Sequence, residues 1–126
     1  MKVNLAKALA GIDEPYSPVI VGHLNDYKIA VVKPRGEFVW HRHEDTDDFF
    51  LVLEGRLTIQ MRDGDVELGP GELYVVPRGV ELYVVPRGVE HCPRADEEAH
   101  VLLIEPLGTT NTGDAGGPMT RPEVER

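Results

Sequence analysis

Glycine and proline punctuate this chain so densely that no long element fits between them. Thirteen glycines and ten prolines are spread over 126 residues. The intervals hold short runs rich in Val, Ile, Leu, Phe and Tyr, several with apolar and polar residues alternating. Short β-formers separated by turn residues predict an all-β sandwich or barrel. Strands are expected at about Val19–Leu24, Lys28–Lys33, Glu37–His43, Asp48–Glu54, Arg56–Arg62, Asp65–Leu68, Leu73–Val76 or its copy, and His100–Glu105. Asn25-Asp26, Pro34-Arg35-Gly36, Asp63-Gly64 and Gly69-Pro70-Gly71 supply turns between them. One segment has helical spacing. Asn4 can cap it, Leu5, Leu9 and Ile12 share a face, and Gly11 with Pro15 ends it.

A perfect tandem repeat interrupts this pattern. Residues 72–80 read ELYVVPRGV and residues 81–89 read the same again. A nine-residue unit present twice is no solenoid, which needs several copies of a larger one. One of the two LYVV segments must be surplus to the sheet. Covalent continuity ties Pro86-Arg87-Gly88 to His91, so the second copy is expected in the barrel and the first in a loop after Gly71. The opposite arrangement and a domain swap are the alternatives. Loop entropy opposes neither strongly, since doubling a loop costs only about 0.6 kcal/mol. From Leu107 onward the chain has almost nothing apolar to bury, so residues 1–106 form the expected domain. Residues 107–126 are then a polar, Gly/Pro-rich tail expected to be flexible, or a loose strap over the barrel.

Charge and composition exclude several classes. Thirteen Lys+Arg against 22 Asp+Glu give a formal charge of −9. So negative a surface repels phosphate backbones and anionic lipid, and neither nucleic acid nor membrane is an expected partner. The longest apolar run, Phe49–Leu53, is far short of the roughly 20 residues of a membrane span. Met1–Ile12 has two lysines but no long apolar stretch or cleavage signal, and Cys92 has no second cysteine to pair with. A cytoplasmic location is the resulting expectation.

The chemistry is concentrated between Gly36 and Gly55. On a strand, His41 and His43 point to one face, so both imidazoles can converge on one ion. Asp48 opens the next strand after an acidic loop, with Glu44 and Asp47 as alternative acids. A third imidazole at His91 would complete three nitrogens and one carboxylate, a set suited to a divalent first-row metal with positions left open. His23 and His100 read as surface or strand residues, and Cys92, next to His91, as a bystander facing the other way. Parity places Val39, Phe50 and Val52 inward with the histidines, and Phe38, Trp40, Phe49, Leu51 and Leu53 outward. Both faces of these strands are apolar, so the outer one needs a cover: the short helix over part, a second subunit over the rest.

These residues resemble the first cupin motif, in which Gly36, His41, His43, Asp48 and Gly55 take the Gly, His-x-His, acid and Gly positions. Asp48 stands where cupins usually have Glu, and the interval from Gly36 to His41 is one residue shorter than the common pattern. The second cupin motif, Gly-x5-Pro-x-Gly-x2-His, is divided by the repeat. Gly71, Pro77 and Gly79 match its start but lead to Leu82, whereas Pro86, Gly88 and His91 match its end but follow Val80. The resemblance spans about Val19 to Pro106. It implies a double-stranded β-helix (jelly-roll barrel) with a short N-terminal helix, similar to the small mannose-6-phosphate-isomerase-like cupins. It further implies a divalent transition metal (Mn, Fe, Ni, Zn or Cu) on His41, His43, Asp48 and His91, a homodimer, and room for a small molecule in the barrel. The fold hosts many chemistries. Three function classes therefore stand: a metal-binding protein of unassigned reaction, a metal-dependent enzyme (Fe(II) dioxygenase or sugar/keto isomerase), and a non-catalytic small-molecule sensor. No general base is identifiable from the residues alone.

Overall fold

The computed structural model describes residues 2–76 and 89–125. Among these residues, nine strands form two antiparallel sheets. They are β1 (Val19–Leu24), β2 (Tyr27–Val32), β3 (Gly36–Glu37), β4 (Asp48–Glu54), β5 (Leu57–Met61), β6 (Gly64–Leu68), β7 (Leu73–Val76), β8 (His91–Ala95) and β9 (His100–Pro106). One sheet has the order β1-β2-β9-β4-β7 and the other β3-β8-β5-β6. The period-two pattern does what it predicts in β4, where Asp48, Phe50, Val52 and their alternates are buried and half-buried in turn. Val32, Phe50, Val52, Leu57, Ile59, Leu68, Val76, Val101 and Leu103 fill the space between the sheets.

The helix α1 (Leu5–Ala10) forms where expected. The Asn4 side chain accepts a hydrogen bond from the Lys7 amide at 3.0 Å, capping its first turn. Leu9 and Ile12 are buried with Val19, Val21 and Val31, and Leu5, Ile29 and Leu53 pack around them. Six residues cannot hold a helix alone. Docking on the outer face of β1 and β2 does so, and covers that part of the sheet.

Two expectations on strands are corrected. The stretch expected as one strand, Glu37–His43, pairs regularly only at Gly36–Glu37. The Phe38 amide donates to the Pro93 carbonyl (2.9 Å), but the next reciprocal pair joins His41 to His91. Three steps on one side therefore oppose two on the other, which is a bulge. The extra residue changes the parity, so Phe38 faces inward with His41 instead of outward. Its ring stacks on Tyr16 at 4.6 Å and meets His41 edge-on at 5.5 Å. Trp40 lies under the Arg62 guanidinium, 3.7 Å from the ring centroid. The second correction is β8 itself, which was not among the expected strands and carries Pro93 at its centre. A residue in an antiparallel ladder turns its nitrogen and carbonyl to the same neighbour. Pro93's carbonyl faces Phe38, so its missing N–H faces the bulge, where the ladder is already broken.

The repeat is also placed differently. Leu73–Val76 of the first copy, expected to leave the barrel, is β7, paired with β4 from Asp48↔Val76 to Leu51↔Leu73. Residues 81–88 of the second copy lie outside the described residues. The turn before β7 supplies the physical reason. Gly71 donates to the Val52 carbonyl (2.8 Å), Val52 donates back to Glu72 (3.0 Å), and the Glu72 carboxylate accepts from Gly69 (2.7 Å). Gly71 sits at φ +81°. Seating the second copy would put Val80 there, a β-branched residue in the left-handed region. Gly71→Val is expected to destabilise the protein by about 1–2 kcal/mol, read from urea unfolding; an unchanged midpoint would remove this explanation of the register.

Residues 107–125, the C-terminal strap, make a defined set of contacts across the barrel. Thr112 is fully buried and shares a 2.6 Å hydrogen bond with Thr120. The Asn111 side chain joins the Met119 carbonyl to the Arg121 amide, and Lys28 on β2 holds both the Thr109 carbonyl and Glu123. Val124 reaches the free edge of β1 and accepts from the Ile20 amide at 2.6 Å.

Candidate metal centre

His41, His43, Asp48 and His91 come together from three separate segments. His41 and His43 follow the bulge, Asp48 is the first residue of β4, and His91 is the first of β8. One ligand atom from each lies within 4.8 Å of the others, and all four residues are buried. The alternative acids Glu44 and Asp47 are exposed. His41 and His91 are fixed face to face by the main chain, each amide donating to the other's carbonyl at 2.9 Å. Their rings are 4.3 Å apart at the centroids, and His43 is 5.1 Å from His41.

The rings are oriented as well as gathered. Nδ1 of His41 lies 2.9 Å from the Val39 carbonyl, and Nδ1 of His91 lies 2.9 Å from the Val89 carbonyl. Each carbonyl accepts an Nδ1–H and so directs Nε2 inward, the arrangement metal-ligating histidines require. Nε2 approaches the Asp48 Oδ2 at 2.8 Å from His91, 3.3 Å from His43 and 4.0 Å from His41.

Electrostatics bears on whether the donor set fits a cation. Burial pushes the Asp48 carboxyl up, but hydrogen bonds from His43 and His91 outweigh it and hold the group well below the usual carboxylate range. Burial lowers His41 to about 4, helped by the neighbouring His91. For His43 burial also acts downward, but the hydrogen bond and charge of Asp48 prevail and raise it. His41 is thus neutral at pH 7, with its Nδ1–H committed to Val39 and its Nε2 lone pair facing an anion. His91 has an acceptor against each nitrogen, the Val89 carbonyl at Nδ1 and the Asp48 carboxylate at Nε2. A cation among the four groups satisfies both rings and the carboxylate together. The residues fit a metal.

A narrow cavity opens beside the cluster, lined by Tyr16, Phe38, Phe50, Leu57, Leu103 and Glu105 among others. Phe50 lines it as expected, whereas Val52 lies deeper, in the core. Phe38, not Val39, lines the cavity from the segment after β3, through the bulge. Glu105 is the acidic residue that sequence reasoning missed. The signal was present: Val101, Leu103 and Glu105 alternate on β9, which puts the carboxylate on the apolar inner face. Glu105 is only 5% exposed, with Lys28 3.4 Å away. Burial and then the nearby Asp48 raise it to about 7 against the pull of Lys28. Cys92 is buried, its thiol pushed up to about 11 chiefly by burial. His23 lies against Glu125, and His100 pairs with Glu54 and Glu98, both away from the cluster.

The cupin domain model matches residues 28–105. The chain belongs to the cupin family. A cupin-2 domain protein from Shewanella frigidimarina has a crystal structure similar to this cupin, with 41% identity and a TM-score of 0.72 over 82% of this chain and 93% of that one. The uncharacterized protein YdbB of Bacillus subtilis is 30% identical over 78 residues, 61% of this chain and 69% of its own length. Hydroquinone 1,2-dioxygenase PnpCD, solved with Cd2+ and 4-hydroxybenzonitrile, shares the fold at 17% identity and a TM-score of 0.65, over 98% of this chain and 76% of its own.

Glu105 gives this cupin a testable pH signature. Its value of about 7 lies above the ordinary 4.5. The folded chain therefore keeps a proton that the unfolded chain releases. This contribution is complete below pH 4.5 and lost as pH rises through 7. Relative to Glu105→Gln, the metal-free wild type is expected to lose on the order of 3 kcal/mol between pH 4.5 and 8. Parallel pH profiles of unfolding free energy would contradict it.

Proposed function

We propose that this cupin binds one divalent transition-metal ion through His41, His43, Asp48 and His91, and presents it to a small, largely apolar molecule in the adjoining cavity. The observation that carries this reading is the pair of carbonyl-anchored rings whose Nε2 atoms face a single carboxylate. Three imidazoles and one carboxylate accept Mn, Fe, Ni, Zn or Cu. When bound, such an ion supplies a Lewis acid and, if redox-active, a place for O2 chemistry. The chain's own part is to exclude water and orient the guest: Tyr16, Phe38 and Phe50 offer ring faces and edges, and Asn111 stands in the same lining. Elemental analysis of purified protein is expected to find about one metal per chain, lost in both His41→Ala and His91→Ala. Metal retained in either variant would place the ion elsewhere.

Glu105 favours an enzyme over a passive binder as the second reading. A buried carboxyl with a pKa near neutrality, on the wall of the same cavity, is suited to take a proton from a bound molecule and return it. A small-molecule sensor has no need of that group. Under this reading Glu105→Gln abolishes turnover while leaving metal content intact, whereas a sensor binds its ligand without turnover in both forms.

A homodimer is the proposed assembly. The helix covers β1 and β2, but Phe49, Leu51, Leu73, Val75, Leu102 and Ile104 form an apolar outer surface on β4, β7 and β9, joined by the pairs Leu51↔Leu73, Leu51↔Leu102 and Phe49↔Val75. Leu73 is 55% exposed and Val75 40%. A continuous patch of this kind marks an interaction surface. Light scattering is expected to give twice 14.0 kDa for the wild type and a monomer for Leu51→Glu. A monomeric wild type would remove the proposal.

A further inference from the structure

The segment between the two histidines of the His41-Arg42-His43 stretch is held on both edges, and only one edge belongs to a sheet. His41 pairs with His91 on β8. Arg42, the next residue, turns its main-chain groups the other way and meets the C-terminal strap. The Asp114 Oδ1 accepts from the Arg42 amide at 2.9 Å, the Asp114 amide donates to the Arg42 carbonyl at 3.2 Å, and Oδ2 lies 3.3 Å from the Arg42 Nε. Asp114 thus makes the two bonds that a neighbouring strand would make. Gly113 sits at φ +53° directly on this stretch. A Cβ there would overlap the Arg42 carbonyl oxygen and come within 3.1 Å of the His41 ring. The strap delivers these two residues from a conformation of its own, fixed by buried Thr112, the Asn111 bridges and the Lys28 clasp. His43 is the ring with most need of such support. Among the described residues it lacks the carbonyl anchor on Nδ1 that His41 and His91 have, and it stands outside any regular strand.

We propose that Asp114 is a positioning residue for His41 and His43, so that the C-terminal strap completes the metal centre instead of covering a finished one. This rests on the reading that the four residues bind an ion. Outer partners of metal ligands typically affect affinity by 10–100-fold. Here the partner acts on the backbone between two ligands, so one residue governs the relative setting of both rings.

The test uses the full-length chain, stripped of metal and titrated with Co2+ in competition with a chromophoric chelator. The visible absorption of bound Co2+ and the melting temperature of the metal-free form are recorded alongside. Asp114→Ala is expected to bind Co2+ about tenfold more weakly and to alter its absorption bands. Asp114→Asn, which keeps an Oδ1 acceptor for the Arg42 amide, is expected to restore most of both. Gly113→Val should reproduce the alanine defect. Asp114→Ala with wild-type affinity and spectrum would overturn the proposal. So would equal losses in the alanine and asparagine variants that track a fall in melting temperature, because the strap would then be serving stability alone. Wild-type protein that binds no Co2+ would instead sink the underlying metal reading, and the positioning role with it.

Discussion

The reciprocal main-chain pair between His41 and His91 is the contact on which the rest of the structure turns. It brings residues fifty positions apart to van der Waals range and sets the spacing of two imidazoles before any side chain acts. It also closes the opening left by the bulge after Phe38, where β3 has already ended. Asp48 enters the same volume because β4 starts there, and its neighbour on the other side is β7. Three chain segments meet at one point because three hydrogen-bonding patterns end at it. Such a meeting of polar groups inside a β scaffold is costly unless their charges and protons are matched. Here His41, His43 and His91 are matched to the one carboxylate of Asp48.

Much of this was legible in the residues. Alternation in β4 and β9, the Gly/Pro turns and the capped N-terminal segment each predict local structure by a rule that tertiary packing had no reason to override. His41 and His43 were equally visible, since His-x-His on an extended segment fixes the faces of two side chains, and Asp48 and His91 were expected as the acid and third imidazole that would complete the set. What was not legible depended on counting. A bulge adds one residue that no composition reveals, and it moved Phe38 from the outer face to the cavity. No strand was expected at β8, which has Pro93 at its centre; the missing N–H of that residue coincides with the bulge. The two irregularities meet at one place in the sheet, between the Phe38–Pro93 bond and the His41–His91 pair.

The repeat shows a similar limit. Two identical segments carry no information about which belongs in the sheet, so the choice falls to their flanks. Continuity with His91 pointed to the second copy, but the first follows the Gly69-Pro70-Gly71 turn, whose last glycine bonds the Val52 carbonyl. The decisive residue is a glycine in a conformation that valine resists. Glu105 and the strap illustrate the opposite case. Both lie in stretches with clear local readings, yet their relation to the site follows only from which elements the fold brings alongside.

The histidine anchors have a consequence for how this family can vary. His41 and His91 are steadied by the carbonyls of Val39 and Val89, not by acidic or amide side chains. Every amino acid presents the same carbonyl. Positions 39 and 89 can therefore drift in identity across homologues while the rings they steady stay fixed, and a search for recurring acids behind the ligands would pass over them.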